Sequence, residues 1–485
     1  MHIVEVAAEF APIAKVGGLG EVLVGLSREL TRLGHKVEVI LPKYQFLSPS
    51  SVKLLKVDVP NFEVQEKGKA ISNTMWSAFA ENCSLRLLET GHPAKYFDRP
   101  NIYGHEDDIA RFLYFSKAVL EYLKLKKEPI DVLHLHDWHV AALAPLIRSL
   151  QQSSLVVRAI VLSIHNVEYQ GKCSAADLEA VGLKDIASLE TQPGEYNLLK
   201  GGIECVDAIV PVSPSYSKEI LTEPFGFGLD SSLRKNKNKI HGILNGIDLH
   251  LWDPASDTSL TKPYSALETA ENIKAAKQLT RESIADRFAL DARKRPWIGS
   301  ITRLVPQKGP EFMAEGLVQT TGKGGSFILL GASPIAETRK KFEKLAQTHK
   351  SQVLVHLEHN EKLAHQLYAA LDFLLVPSQF EPCGLTQLIA MRYGTIPIVH
   401  ATGGLQDTVF DLESGHKAAN GFPFKPWTLE AFNHTMEKVF RLWKENPDAL
   451  DSLRQHGMQA DFGWKKPALE YLELFKNQLQ HQKVG

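Results

Sequence analysis

Apolar residues along the chain follow two alternating patterns, short unbroken runs and longer stretches with helical spacing. The run 3–8 predicts a strand, and the following stretch, 19–33, carries apolar residues at the i, i+3, i+4, i+7 spacing of one helical face. Unbroken apolar runs are typical of strands that are buried on both faces of a parallel sheet. The alternation therefore predicts stacked βαβ units along almost the whole chain.

The predicted strands fall into two sets. The first set comprises 3–8, 37–42, 131–135, 156–164, 208–212 and 240–244. The second set comprises 297–301, 326–330, 352–356, 371–377 and 395–399. The polar, helix-rich stretch 253–290 separates the two sets, so we predict a domain boundary near residue 250.

The simplest architecture is α/β, with two doubly wound, Rossmann-like domains that face each other across a cleft. We predict the first domain over 1–249, the second over 250–460 and a terminal segment over 461–485. Apolar spacing predicts a helix over 466–480 within that segment.

Composition excludes several classes of protein. The 485 residues include 55 Lys+Arg and 56 Asp+Glu, a formal net charge of -1, so no overall charge directs the chain to nucleic acid or to an anionic membrane. The cysteines stand far apart without a C-x-x-C pair, which argues against a disulfide framework or a zinc site. No signal-peptide pattern opens the sequence, and no run approaches the roughly 18 apolar residues of a spanning helix. We expect a cytoplasmic protein.

One acidic residue stands in a tight turn between a buried strand and a helix. Glu381 follows the apolar run 371–377 and precedes a helix predicted over 384–393. Ligands of open α/β sheets bind beyond the carboxyl ends of the strands, so Glu381 is a candidate site residue. The structural alternative for this carboxylate is a helix cap or a loop salt bridge.

A glycine-rich segment precedes a predicted helix in each half of the chain. The first is 15–20, Lys15-Val16-Gly17-Gly18-Leu19-Gly20, and the second is 402–405, Thr402-Gly403-Gly404-Leu405. Free backbone N–H groups at a helix start favour an anion, and the lysine can add a cation. The first segment does not match G-x-G-x-x-G, which disfavours a dinucleotide fold. Two such cradles predict a negatively charged ligand, although Gly20 alone could serve only packing.

Histidines cluster after two predicted strands of the first half. The segment 134–139 reads His134-Leu135-His136-Asp137-Trp138-His139, and His165-Asn166 ends the next strand. Histidines at this spacing suggest a metal site, but the arrangement equally suits hydrogen bonding and aromatic stacking to a polyhydroxyl ligand, which we favour. We interpret His134 as a core histidine. His165 and Asn166 are candidate sugar contacts because they lie at the same sheet edge as the first glycine-rich segment.

Arg303 and Lys308 lie five residues apart in a loop after the predicted strand 297–301. A bidentate guanidinium and a compact ammonium suit a diphosphate. The alternative is a pair of solvated surface charges, the usual state of Arg and Lys.

Together these segments resemble the bacterial glycogen synthase and plant starch synthase family, over nearly the whole chain. The similar motifs are 15–20, 98–100, 103–104, 136–139, 165–166, 169–171, 212–214, 245–248 with Trp252, Arg303 with Lys308, 380–387 and 402–407. The resemblance implies a GT-B fold and a retaining glucosyltransferase. Such an enzyme moves glucose from a nucleotide-diphosphate-glucose to the non-reducing end of an α-1,4-glucan, without a required metal or organic cofactor. It also implies that the terminal helix crosses back to the first domain.

The resemblance implies roles for individual residues. The catalytic group would comprise Lys15, Asp137, His165 and Glu381. The donor-binding group would comprise Gly18, Asn166, Asn245, Arg303, Lys308, His359, Cys383, Gly384, Leu385, Thr402, Gly403, Gly404 and Leu405. The acceptor-binding group would comprise Glu9, Tyr96, Trp138 and His139. The expected partners are ADP-glucose and an α-1,4-glucan such as glycogen, with no nucleic acid and no membrane.

The chain departs from the family pattern at three positions. Glu21 stands where the family usually has Asp, Gln379 where it often has Arg, and His359 where the bacterial enzymes have Tyr. If residue 359 stacks on the base, the nucleotide preference changes, so UDP-glucose is an alternative donor. A non-catalytic glucan-binding homologue is the alternative from another functional class.

Overall fold

The computed structural model describes residues 1–150, 155–184 and 187–481. The chain divides into two compact units. Unit 1 comprises Met1–Gly246 together with Trp464–Gly485, and unit 2 comprises Ile247–Gly463. Residues 151–154, 185–186 and 482–485 of the predicted domains lie outside the described residues. Within the described ranges, no helix is long and apolar enough to cross a membrane.

Up to residue 246, the described residues of unit 1 form eleven strands and nine α-helices. The strands are β1 His2–Val6, β2 Lys36–Pro42, β3 Lys53–Glu66, β4 Lys69–Ala80, β5 Cys83–Thr90, β6 Ile130–His136, β7 Val157–Ile164, β8 Lys172–Cys173, β9 Glu190–Gln192, β10 Glu195–Asn197 and β11 Ala208–Pro211. The helices are α1 Gly18–Arg32, α2 Asp108–Lys126, α3 Trp138–Ala141, α4 Leu143–Arg148, α5 Ala175–Ala180, α6 Leu198–Cys205, α7 Pro214–Glu219, α8 Glu223–Gly226 and α9 Asp230–Lys235.

Unit 2 alternates helices and strands, and the last helix of the chain returns to unit 1. The helices of unit 2 are α10 Ala270–Phe288, α11 Pro310–Gly322, α12 Ala336–Thr348, α13 Glu361–Ala370, α14 Thr386–Arg392, α15 Gly403–Thr408, α16 Leu429–Glu445 and α17 Pro447–Gln459. Its strands are β12 Trp297–Ile301, β13 Ser326–Leu330, β14 Val353–His356, β15 Phe373–Val376, β16 Ile396–His400 and β17 Phe422–Phe424. The last helix is α18 Lys465–His481.

The main sheet of unit 1 has the strand order β11-β7-β6-β1-β2-β5-β4-β3. Its strands pair in parallel from β11 through β5, which confirms the predicted parallel core, but β4 runs antiparallel to both β5 and β3. The sequence did not predict this antiparallel extension. The prediction of a strand over 240–244 was wrong, because this segment forms only one β-bridge, from Ile240 to Ile209 of β11.

Helices α1 and α18 pack on one face of this sheet. The apolar face predicted for α1 is buried, with Leu26 and Leu30 inaccessible to solvent. Tyr471 and Phe475 of α18 belong to the same apolar cluster as these leucines. A Cβ added at Gly25 of α1 would lie 2.0 Å from Nε1 of Trp464, so only glycine lets the start of α18 approach this closely.

The sheet of unit 2 is parallel throughout its described strands, in the order β14-β13-β12-β15-β16-β17. It confirms the second set of predicted strands to within a few residues. Alternate residues of β15 enter two different apolar clusters, Phe373 and Leu375 in one, Leu374 and Val376 in the other. The strand is therefore buried on both faces, as its unbroken apolar run predicted.

Candidate functional site

The Glu381 turn of unit 2 connects β15 to α14 and is largely buried. Oε2 of Glu381 accepts hydrogen bonds from Nζ of Lys308 at 2.6 Å and from Oγ of Ser378 at 2.8 Å. The residue is only 9% exposed, so the lysine supplies the counter-charge that a buried carboxylate requires. Within the described residues, the second oxygen, Oε1, has no hydrogen-bond partner. The loop salt bridge considered as an alternative therefore forms and still leaves one carboxylate oxygen for a ligand.

The loop after β12 is tied to this turn through its backbone. The Gln379 amide donates to the carbonyl of Gln307 at 2.8 Å, and Nε2 of Gln307 donates to the carbonyl of Phe380 at 3.0 Å. These bonds hold Lys308 beside Glu381. Arg303, at the start of the same loop, is exposed, and its side chain forms no ion pair with any residue that the structure describes. Of the two predicted diphosphate ligands, the lysine is thus engaged and the arginine is available to an anion.

The second glycine-rich segment packs against the same turn. Gly403 has φ of 45°, and a Cβ there would lie 2.0 Å from the carbonyl oxygen of Glu381. The Gly404 amide donates to the carbonyls of Glu381 and Pro382, both at 3.2 Å, and a Cβ at Gly404 would lie 2.1 Å from the Cys383 oxygen. The free N–H predicted at Gly404 is therefore occupied, and α15 has only six residues. Here glycine permits close packing rather than an open anion cradle.

The other predicted residues of unit 2 follow the carboxyl ends of parallel strands, which is the edge where ligands of such sheets bind. His359 is exposed between β14 and α13, directly before Asn360, whose side chain caps α13. Gly384 has φ of 73°, and Leu385 precedes α14 as its N-cap. Cys383 and Thr402 are buried.

The first glycine-rich segment, in unit 1, already holds an anion of the chain itself. Oε2 of Glu9 accepts the amides of Val16 at 2.7 Å and Gly17 at 2.9 Å, while its Oε1 accepts the Tyr103 hydroxyl at 2.8 Å. These two amides are therefore not free for phosphate, and the predicted donor ligand of this segment, Gly18, is not one of them. Gly18 is the first residue of α1. The N-cap residue, Gly17, has no side chain with which to cap the helix.

The predicted cation of this segment is also paired. Nζ of Lys15 lies 2.5 Å from Oε1 of Glu21, the residue that departs from the family pattern. Their side chains are 30% and 18% exposed. The longer carboxylate of Glu21 thus reaches Lys15 and offsets its charge at the surface of the loop.

Asp137 joins the carboxyl ends of β6 and β7. Its φ is 63°, a strained value for a residue with a side chain, and its Oδ1 accepts the amides of His165 at 2.7 Å and Asn166 at 3.4 Å. Burial raises the pKa of Asp137 to about 7, although the two amides oppose that shift. The residue therefore orients the two predicted sugar contacts through their backbone.

His165 ends a buried chain of hydrogen bonds. Its Nε2 lies 3.0 Å from Nδ1 of His136, and Nε2 of His136 lies 2.6 Å from Oε2 of Glu5. Burial lowers the pKa of His165 well below its usual value and that of His136 to about 4, so both rings are neutral at neutral pH. His134 is fully buried, as predicted, with Nε2 on Oγ of Ser163 at 2.7 Å.

Sequence reasoning missed Glu5, although a signal was present. A glutamate within the apolar run of a central strand is almost never buried without a partner. Glu5 of β1 stands opposite His134 in the register with β6. The combination of an isolated acid in one strand and a His-x-His pair in another could have identified the cluster.

The predicted acceptor residues of unit 1 are mostly buried. Trp138 is 8% exposed, and a Cβ at Gly171 would lie 2.4 Å from its ring, so the indole belongs to the core. His139 stacks on Tyr103 with ring centroids 4.8 Å apart. Tyr96 is 5% exposed and donates to Oε1 of Glu66 at 3.3 Å. These rings leave little surface for a glucan to stack on.

The two predicted amide ligands of unit 1 differ in their surroundings. Oδ1 of Asn166 accepts the Glu168 amide at 3.0 Å, and the residue is half-buried. Asn245 is 4% exposed, and its Oδ1 has no hydrogen-bond partner among the residues described. A buried carbonyl oxygen without a partner can accept a bond from a ligand.

Comparisons with known proteins cover both units. Residues 2–235 match the family model described as starch synthase catalytic domain, and residues 282–454 match glycosyl transferases group 1. A glycogen synthase of Protochlamydia amoebophila is 40% identical over 98% of this chain and 99% of its own length. The catalytic domain of starch synthase IV from Arabidopsis thaliana, solved bound to ADP and acarbose, is 38% identical with a TM-score of 0.92 over 99% of both chains. A sucrose-phosphate synthase from Thermosynechococcus elongatus, 19% identical over 99% of both chains, shares the fold with a TM-score of 0.62.

Proposed function

The chain belongs to the glycogen synthase and starch synthase family, and from that premise we propose that it transfers glucose from ADP-glucose to the non-reducing end of an α-1,4-glucan. It is a glycosyltransferase of the GT-B fold, built from two Rossmann-like units. The proposal includes retention of configuration at the transferred carbon. Glycogen or a similar glucan is the proposed acceptor.

The observation that carries the proposal is the Glu381 turn, with Lys308 paired to it and Arg303 exposed in the same loop as Lys308. Exposed Arg303 can donate two parallel hydrogen bonds to a diphosphate. Lys308, 2.6 Å from Glu381, adds a second positive charge near the same edge of the sheet. Fixed positive charges stabilise the negative charge that develops on a departing nucleoside diphosphate, which is commonly the largest contribution to catalysis of this kind.

The choice of an adenine nucleotide is supported by the starch synthase IV structure. That protein was solved with ADP and acarbose, and its fold matches this chain over 99% of the length at 38% identity. We propose the same nucleotide for this chain, with His359 near the base. The exposed position of His359 leaves its ring accessible to a ligand.

For unit 1, we propose that the half-buried His165 and Asn166 contact hydroxyls of the transferred glucose. Asp137 orients both through their amides. The buried acceptor candidates, Glu9 and Trp138 among them, would then shape this site from within the unit rather than stack on the glucan.

The test is transfer of radiolabelled glucose from ADP-glucose to glycogen. Arg303→Ala should lower kcat/KM by about 100-fold, the typical loss when one fixed charge-stabilising group is removed. Arg339→Ala removes another exposed arginine of unit 2, in α12, and should leave the rate unchanged. Normal activity of Arg303→Ala would exclude the diphosphate role. Absence of transfer by the wild type would overturn the proposed function itself.

We also propose a cytoplasmic location. The four cysteines form no disulfide among the described residues, which suits a reducing compartment. Fractionation of the source cells should recover the activity with cytoplasmic markers, and recovery outside the cytoplasm would contradict the proposal.

A further inference from the structure

A continuous chain of hydrogen-bonding side chains runs through the buried sheet of unit 1. At one end His165 contacts His136 at 3.0 Å, and His136 contacts Oε2 of Glu5 at 2.6 Å. Nδ1 of His134 lies 2.9 Å from the same glutamate oxygen. Glu5, His134 and His136 are all fully buried. Glu5 is therefore hydrogen-bonded to the His136 branch of this cluster, whereas the His134 branch approaches it without a hydrogen bond at Nδ1.

The glutamate determines where the protons of this chain lie. The pKa of Glu5 is about 2, because the nearby His134 and His136 outweigh the effect of burial, so the carboxylate can only accept hydrogen bonds. Nε2 of His136 must then carry the proton that it donates to Glu5. In the neutral ring, Nδ1 of His136 is unprotonated and carries a lone pair. It therefore accepts a hydrogen bond from Nε2–H of His165.

The remaining nitrogen of His165, Nδ1, is consequently an acceptor. It has no hydrogen-bond partner among the residues that the structure describes. The side chain is half-buried, so this nitrogen can meet a ligand. An acceptor nitrogen binds a hydroxyl that donates its proton and repels a group that offers only a lone pair.

We propose that Glu5 is a positioning residue that acts through His136 to hold His165 as a hydrogen-bond acceptor for a hydroxyl of the transferred glucose. The identity of the ligand in this inference rests on the proposed function. The arrangement of the protons does not, because it follows from the contacts within unit 1. Glu5 itself touches no substrate.

The same three side chains have ligand atoms within 4.8 Å of one another, so a metal ion is the competing explanation. Two ligands of one tetrahedral zinc ion stand about 3.3 Å apart, given bonds of about 2.0 to 2.1 Å. The distance from Oε2 of Glu5 to Nε2 of His136 is 2.6 Å, which is that of a charge-assisted hydrogen bond. The geometry favours the proton chain. A stoichiometric metal ion in the purified protein, detected by mass spectrometry, would overturn it.

The kinetic test compares Glu5→Leu with Glu5→Gln. Leucine removes the acceptor of the His136 proton, so kcat should fall by about tenfold, the lower end of the loss seen when a partner that orients a metal-bound histidine is removed, with an unchanged KM for glycogen. Glutamine keeps an acceptor oxygen and should restore most of the rate. Tyr471→Phe is the matched control, because it removes a hydroxyl from the other branch, 3.2 Å from Oγ of Ser163, and should leave kcat unchanged. Wild-type kcat in Glu5→Leu would contradict the proposal.

A spectroscopic measurement tests the proposal even if Glu5→Leu fails to fold or if the sugar donor is not ADP-glucose. The ¹⁵N spectrum of the histidine-labelled wild-type chain should show His136 and His165 both protonated at Nε2. A proton on Nδ1 of His165 would overturn the proposal. If the wild type transfers no glucose, the proposed function fails, and this spectrum still decides whether the proton chain exists.

Discussion

The two glycine-rich helix starts hold different partners in the two units. Before α1, the amides of Val16 and Gly17 bind the carboxylate of Glu9 at 2.7 and 2.9 Å. Before α15, the amide of Gly404 donates to two backbone carbonyls at 3.2 Å. Helix α1 has 15 residues and α15 has six. The first start binds an anion, whereas the second is a packing contact against the Glu381 turn.

This difference shows that glycine serves two purposes in similar motifs. At Gly403 and Gly404 an added Cβ would collide with backbone oxygens at 2.0 and 2.1 Å, whereas at Gly17 it would meet nothing within 4 Å. Since the amides of Val16, Gly17 and Gly404 are occupied, we propose that recognition of a diphosphate falls on side-chain cations such as Arg303. The comparison can be tested at both loops.

The largest effect is expected from alanine at the crowded glycine. Gly403→Ala should destabilise unit 2 by roughly 4 kcal/mol, because it adds a left-handed backbone strain to a steric overlap with the Glu381 carbonyl. Gly17→Ala should change stability by less than about 0.5 kcal/mol. Urea denaturation of the full chain measures both, and equal losses at the two glycines would remove the distinction between the loops.

Next in size is the loss of the cation beside Glu381. Lys308→Met should lower kcat by about 100-fold, since it removes a fixed positive charge and leaves a largely buried carboxylate unpaired. Lys340→Met, at an exposed lysine of α12, is the control and should retain the wild-type rate. Initial rates of glucose transfer check the pair, and an equal rate in both variants would show that the Glu381 turn needs no cation.

A smaller effect is expected at the carboxylate that occupies the first loop. Glu9→Ala should cost about 2 kcal/mol, because the amides of Val16 and Gly17 and the Tyr103 hydroxyl lose their acceptor. The vacated amides should then bind a free anion. Inorganic phosphate should raise the thermal midpoint of Glu9→Ala more than that of Glu9→Gln, whose amide oxygen still accepts. Equal phosphate responses would show that this loop does not bind anions.

The last prediction concerns the pH dependence of stability at Asp137. This carboxyl has no cation partner among the described residues, unlike Glu381, and its folded pKa of about 7 lies above the ordinary 3.8. The folded state holds the Asp137 proton more tightly than the unfolded state does. The protonated carboxyl therefore contributes its full stabilisation below about pH 4, and this stabilisation is lost as the pH rises to about 7. Asp137→Asn should abolish that loss. Thermal midpoints across this range check it, and a wild-type-to-variant difference independent of pH would contradict it.

Apolar runs predicted the parallel strands well because both faces of those strands are buried. The hairpins of β3, β4 and β5 escaped prediction, since much of β3 is exposed and its period-2 alternation emerges only near its end. The turn at Glu81 and Asn82 has positive φ at both residues without a glycine to mark it. Lys67-Gly68, between β3 and β4, was the stronger turn signal.

The sequence located the candidate residues at strand ends but not their partners. That Lys308 pairs with Glu381, and Lys15 with Glu21, depends on distances that spacing does not encode. The occupation of the first loop by Glu9 was equally invisible, because a carboxylate before a glycine-rich segment looks like one more ligand. Glu5 escaped since its role depends on the register of β1 against β6.

The most direct test of the central claim is the ratio of kcat/KM for ADP-glucose and UDP-glucose in glucose transfer to glycogen by the wild-type chain. We predict a preference for ADP-glucose of at least about tenfold, which one discriminating hydrogen bond to the base can provide. A preference for UDP-glucose, or no transfer from either donor, would contradict the assignment.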